Sequence, residues 1–221
     1  MKRLIIHTVA LLMMFSCSTY EDENTVHSGD SVANDDSSND SGNSDYSLLF
    51  IGNSLTYTNG LPALVKDAAS TQGITITTKM IAYSNYGLED HWNDGVIQDL
   101  INTEKYDYVI IQQGPSSQAA GRASLIEYGG RIADLCQMNN TQLAFFMVWP
   151  SMTYYHTFPG VITNYTDAAS LSGAILCPAG KVWKDYFDQT NDFSYYGPDN
   201  FHPSLSGSEV AAAVILESLD L

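Results

Sequence analysis

From about residue 46 onward, short apolar runs bounded by polar turns alternate with longer stretches whose apolar positions recur every three or four residues. The short runs predict five strands, at 47–51, 74–80, 108–112, 142–148 and 174–177. The periodic stretches predict helices at 62–72, 95–102, 124–138, 165–171 and 182–188, and a last one over 206–219. Pro62 suits a first helical turn, where its missing N–H costs nothing. Leu48-Leu49-Phe50-Ile51 and Val109-Ile110-Ile111 have no polar position between their apolar ones. A strand with one wet face would alternate, so these strands are expected to be covered on both faces. Strand-helix alternation then implies right-handed crossovers and a parallel sheet. The expected fold is a three-layer α/β/α sandwich around a five-stranded parallel sheet, flavodoxin-like in layout. In such sheets ligands bind beyond the carboxyl ends of the strands.

The first 45 residues follow a different pattern. Met1-Lys2-Arg3 is a basic head, the twelve residues 4–15 are mostly apolar, and Ser16-Cys17-Ser18 follows. Twelve residues are too few to span a bilayer as a helix. Basic head, apolar run and small residues have the form of a secretory signal. With Met14 and Phe15 before it, Cys17 resembles the acylated cysteine of a Bacteroidetes lipoprotein. Residues 18–45 hold eight acidic residues, no Lys or Arg and almost no large apolar side chain. Such a segment buries too little to fold and is expected to be a tether. Glu21-Asp22-Glu23 resembles the acidic signal that sends such lipoproteins to the cell surface. Asp30-Ser31-Val32 resembles the O-glycosylation site of that phylum. The expected organisation is a signal peptide over 1–17, a tether over 18–45 and one folded domain over 46–221.

Two short motifs in the folded part carry chemistry. Gly52-Asn53-Ser54 directly follows the first apolar run and reads as a strand ending in a tight turn that exposes a serine. The same tripeptide at 42–44 lies inside the polar tether, so the strand before it is what gives the first one meaning. Near the other end stands Asp199-Asn200-Phe201-His202-Pro203-Ser204. Pro203 biases His202 toward an extended backbone, and Ser204 or Ser206 is placed to cap the helix behind it. Asp199 is spaced to bond one ring nitrogen of His202. The other nitrogen is then free to take a proton from Ser54. Serine, histidine and carboxylate in these roles make a hydrolytic triad, wherever they fall along the chain.

Taken together the two motifs resemble the blocks of the SGNH (or GDSL) hydrolases, whose first block reads Gly-Asp-Ser and whose last reads Asp-x-x-His. Here Asn53 replaces the aspartate, and the stretch from Asp199 to Gly207 is the most specific part of the likeness. The resemblance implies an esterase with Ser54 as nucleophile, His202 as base and Asp199 as its orienting partner, needing no metal or organic cofactor. It also implies an oxyanion hole of three donors. The Ser54 N–H is one. Gly87, in the turn after the second strand, is the expected second. The third is usually an asparagine; here Gln112-Gln113-Gly114-Pro115-Ser116 stands in its place. A glutamine amide donates the same bond, and Gln113 shares a face with Ile111 and Val109; Gln112 and Ser116 are alternatives.

Charge and composition narrow the partners. The chain of 221 residues has 9 basic against 25 acidic residues, a formal charge of −16. That excludes the clustered Lys and Arg that phosphate backbones require, so no nucleic acid is expected. Membrane contact is expected only through a lipid at Cys17, and the protein is expected to be a monomer. Cys136 and Cys177 are expected to be buried free thiols. Aromatic pairs at Tyr154-Tyr155 and Tyr195-Tyr196 and the Trp149-Pro150 strand end fall on loops near the site. They either stack on sugar rings or pack loops onto the core. His91, beside Trp92, has no partner motif, and His156 falls on a loop. From the resemblance and the exported location, the expected substrate is an acetylated extracellular glycan. Lipid and small-ester hydrolysis, or glycan binding without catalysis, are the alternatives.

Overall fold

The computed structural model describes residues 44–221. The signal segment, Cys17 and nearly all of the tether lie outside the described residues. Asp45, at the tether's expected end, already belongs to the fold: its N–H bonds the Thr75 carbonyl at 2.9 Å, and its carboxylate accepts the Thr75 N–H at 2.8 Å.

Five parallel strands form the sheet: β1 (Tyr46–Gly52), β2 (Ile76–Ala82), β3 (Tyr108–Ile111), β4 (Gln142–Phe146) and β5 (Ile175–Cys177). Their order is β2-β1-β3-β4-β5, every neighbouring pair parallel. The chain goes from β1 outward to β2, then returns past β1 to build β3, β4 and β5 on its other side. The carboxyl end of β1 is therefore the point where the direction of winding reverses, and a crevice opens there.

Among the described residues eight α-helices accompany the strands: α1 (Ser54–Tyr57), α2 (Leu61–Thr71), α3 (Leu88–Asp94), α4 (Val96–Thr103), α5 (Ala119–Met138), α6 (Phe158–Ser172), α7 (Ala179–Thr190) and α8 (Leu205–Ser218). α2 packs on α8 over one face, and α3, α4 and α6 pack against α5 over the other. With both faces covered, Leu48, Leu49, Phe50 and Ile51 are fully buried, as are Val109 and Ile111. Cys136 on α5 and Cys177 at the end of β5 are free and buried, and burial pushes both thiols up to about 12.

The structure adds the unexpected α3 and shifts most expected boundaries, β4 ending at Phe146 rather than 148 and α7 running over Ala179–Thr190 rather than 182–188; three of the shifts have a plain local reason. β2 begins at Ile76 rather than at 74, because the Ile74 N–H turns back to the Ala69 carbonyl (3.1 Å) and closes the end of α2. α6 starts at Phe158, seven residues before the expected 165. Its buried stripe of Phe158, Val161, Tyr165, Ala168 and Ala169 has helical spacing from the start, with Pro159 in the first turn. α5 starts at Ala119 rather than 124, through a small-residue turn with little hydrophobic signature.

Candidate active site

The nucleophile turn is built by close approach. Gly52 closes β1, and a Cβ there would lie 2.2 Å from Thr56 Oγ1 and 2.5 Å from Gln112 Oε1. The glycine is needed for space, rather than for the unusual turn conformation that its position suggests. Asn53 is extended (φ −136°, ψ −152°) and caps α1, its side-chain oxygen accepting the Leu55 N–H at 3.1 Å. Its own N–H donates to Gln112 Oε1 at 3.0 Å, and its side-chain amide donates to the Tyr86 carbonyl at 2.9 Å. An aspartate could make the cap but would set a carboxylate oxygen against the Tyr86 carbonyl. Asn53 therefore ties the turn after β2 to the turn after β1. Ser54 is left half-buried at the first position of α1.

The histidine loop is held from several directions. Tyr196 and Pro203 form an antiparallel bridge, and the Gly197 N–H donates to the His202 carbonyl at 2.7 Å. The Trp149 indole N–H donates to the Phe201 carbonyl at 3.0 Å, and Trp149 itself stacks on Trp183 with ring centroids 3.4 Å apart. The Asn59 amide, just beyond α1, donates to the Pro203 carbonyl (3.0 Å) and to Ser208 Oγ (2.9 Å). Of the two serines placed to cap α8, Ser204 does so, accepting the Gly207 N–H at 3.2 Å.

These constraints bring Ser54, His202 and Asp199 together. His202 Nε2 lies 2.9 Å from Ser54 Oγ, and His202 Nδ1 lies 2.5 Å from Asp199 Oδ2. The other carboxylate oxygen of Asp199 accepts the backbone N–H groups of His202 (2.9 Å) and Phe201 (3.0 Å). The His202 hydrogen bond, opposed by burial and helped by those two amides, holds the Asp199 carboxyl below its ordinary value of 3.8. An ionised Asp199 can only accept, so Nδ1 carries the ring proton of a neutral His202 and Nε2 presents its lone pair to the serine hydroxyl.

Two of the three expected oxyanion donors, Gly87 and Gln113, are engaged elsewhere. The Gly87 N–H donates to Asp90 Oδ2 at 2.8 Å, as part of the cap of α3. Gln113 is buried, and its amide hydrogens go to Ser116 Oγ (2.7 Å) and the Gly121 carbonyl (3.1 Å). Its amide oxygen accepts from Ser124 Oγ at 3.2 Å. The two alternatives fare no better. Gln112 donates to the Gln113 carbonyl and accepts from Asn53 and Thr56, while the Ser116 hydroxyl donates to the Gly114 carbonyl. The glutamines thus brace the loop instead of facing the cavity as donors. The backbone N–H groups of Ser54, the remaining expected donor, and of Gly114 make no hydrogen bond to the described residues. Both residues line a cavity of about 430 Å³ together with Gly87, Gln113, Glu89 and Asp90.

Sequence reasoning missed several of these supports. Gln112, Thr56 and Asn59 have no motif of their own, and their partners lie up to 149 residues away. His91 is fully buried, and its Nε2 donates to the Gly52 carbonyl at 2.8 Å, bracing the nucleophile turn from behind. Burial holds its imidazole below the ordinary 6.5, against a weaker upward pull from the Gly52 hydrogen bond and then from Asp94 and Asp90. Gly114 had a signal, a glycine in the turn shortly after the third strand. Among the described residues no group of three or more His, Cys, Asp or Glu side chains is placed to hold a metal ion.

No protein-family model and no curated protein sequence matches the chain. Solved structures do. A protein from Slackia heliotrinireducens described as an SGNH hydrolase aligns with a TM-score of 0.68 at 21% identity, over 80% of this chain and 100% of its own. Axe2, an acetylxylan esterase from Geobacillus stearothermophilus, aligns with a TM-score of 0.61 at 16% identity, over 80% of this chain and 95% of its own. LAE5, described as an alpha/beta hydrolase enzyme from the metagenome of Lake Arreo, gives 0.65 at 14%, over 81% and 97%. Identities this low speak for architecture alone. With its five parallel strands, helices on both faces and these structural neighbours, the domain has the α/β fold of the SGNH hydrolases.

Proposed function

We propose that the protein is a serine esterase that removes acetyl groups from extracellular glycans. The observation that carries the reading is the unbroken chain of hydrogen bonds from Asp199 through His202 to the Ser54 hydroxyl, at the mouth of the cavity beyond β1. In the proposed reaction Ser54 Oγ attacks the ester carbonyl as its proton passes to His202 Nε2. Asp199 steadies the imidazolium that results. The backbone N–H groups of Ser54 and Gly114 are the proposed oxyanion donors. Collapse of the tetrahedral intermediate breaks the bond to the alcohol oxygen, which takes the proton from Nε2 and leaves. Water, deprotonated by the same nitrogen, then attacks the acyl-serine, and breaking the acyl–Oγ bond restores the hydroxyl. Glu89 and Asp90 line the cavity and repel the carboxylate product.

The acetyl-glycan substrate is supported by the likeness to an acetylxylan esterase and by a cavity of mixed polar and apolar lining at Ser54. The protein is further proposed to be a monomer held at the cell surface by a lipid on Cys17, supported by the signal-like residues 1–17 and the acidic stretch after them. Incorporation of labelled palmitate, lost in Cys17→Ser, is the expected result for the anchor; incorporation that persists would remove it. For the substrate, the protein is expected to release acetate from acetylated xylan or pectin. If simple esters are hydrolysed while these polymers are untouched, glycans are excluded as the substrate class.

A further inference from the structure

A second cavity, of about 450 Å³, adjoins the first. Its walls are mostly carbon: Pro115 from the loop after β3, Pro150 and Tyr154 from the loop after β4, and Phe201 from the histidine loop. Phe201 lines both cavities, so they meet at that residue. The loops that form the second cavity are tied together. The Met152 N–H donates to the Asn200 carbonyl at 2.9 Å, two residues before His202. Ser151 and Gln118 stand at its margin. The Ser151 and Tyr154 hydroxyls have no partner among the described residues, and Tyr154 is 61% exposed.

Position relative to His202 decides which half of an ester this cavity takes. Whatever leaves must pass within hydrogen-bond reach of Nε2, because that nitrogen returns the proton to the alcohol oxygen. Phe201 is the chain neighbour of His202, with ring centroids 5.0 Å apart. The carbonyl oxygen, by contrast, belongs on the side of the Ser54 and Gly114 N–H groups, in the first cavity. We infer that the second cavity is the subsite for the leaving alcohol, and that it holds a sugar ring whose apolar face lies on Tyr154 and Phe201. A sugar shows C–H groups on its faces and hydroxyls around its edge. Carbon walls with hydroxyl and amide groups at the margin match that distribution. A plain alkyl chain would leave the margin groups unused.

The inference rests on the esterase reading, and the two fail differently. The test compares kcat/KM on acetylated methyl β-D-xylopyranoside with kcat/KM on methyl acetate, in the unmodified protein, Tyr154→Ala and Tyr154→Phe. Melting temperatures show that each variant is folded. Tyr154→Ala is expected to lower the xyloside-to-methyl ratio about threefold to tenfold, mainly by raising KM for the xyloside. Tyr154→Phe, which keeps the ring, is expected to restore most of it. A ratio unmoved by Tyr154→Ala overturns the inference while the esterase stands. So does a preference for methyl octanoate over methyl acetate that Tyr154→Ala abolishes, since the cavity would then hold the acyl chain. Absence of hydrolysis of every ester by the unmodified protein overturns both.

Discussion

Replacing Ser54 by alanine is expected to lower kcat on every ester the protein hydrolyses by about 10⁵–10⁶-fold, the scale on which a triad loses its nucleophile. The hydroxyl's one hydrogen bond is to His202, and the residue is half-buried at the start of a short helix. Its removal therefore leaves no buried polar group unpaired, and the melting temperature is expected to stay within a few degrees of the unmodified protein's. KM is expected to change little, because the cavity walls remain. Initial rates on a soluble acetyl ester, paired with a thermal melt, check both halves. A residual rate within a factor of ten of the parent would remove Ser54 from the chemistry.

Asp199→Asn is expected to cost about 10⁴-fold in kcat with little effect on KM. The asparagine oxygen can go on accepting the Phe201 and His202 backbone N–H groups, which sets its NH₂ opposite His202 Nδ1. Nδ1 must then accept. The ring proton moves to Nε2, and that nitrogen meets Ser54 as a donor instead of a base. The pH consequence has a definite sign. Because the Asp199 carboxyl is held below 3.8, its favourable contribution to folding is complete above about pH 4 and is lost as pH falls through the lowered value. Asp199→Asn is expected to lack this part of the acid loss. Half of the side chain is exposed, so solvent screening keeps the effect small. Turnover at pH 7 and acid titration of the melting temperature, each set against the parent, measure the two effects. A variant with near-parental kcat would show that His202 is oriented by something else.

The sheet was legible in the sequence because burial on both faces leaves uninterrupted apolar strands, and Leu48 through Ile51 are such a strand. Helix starts were harder to read. α5 enters through Ala119-Ala120-Gly121, which has neither a cap nor a stripe to mark it. The serine, histidine and aspartate were legible because each sits in a local pattern: a turn after an apolar strand, and a carboxylate three positions before a histidine. The bracing around them was not. Gln113 was expected to face the cavity as a donor, yet it satisfies Ser116, Gly121 and Ser124, and that choice depends on α5 packing across the loop. His91, beside Trp92, had no partner motif in the sequence. It is buried because α3 lies across the end of β1, where the Gly52 carbonyl needs a donor. Such pairings are set by which elements touch, and local spacing carries no record of them.

Mass mapping after treatment with a fluorophosphonate tests the central claim most directly. If Asp199 and His202 activate the serine at the end of β1, the folded protein takes up one equivalent of probe on Ser54, none in Ser54→Ala, and only slowly in Asp199→Asn. A natively melting protein whose Ser54 stays unmodified, or whose adduct sits on another serine, would contradict it.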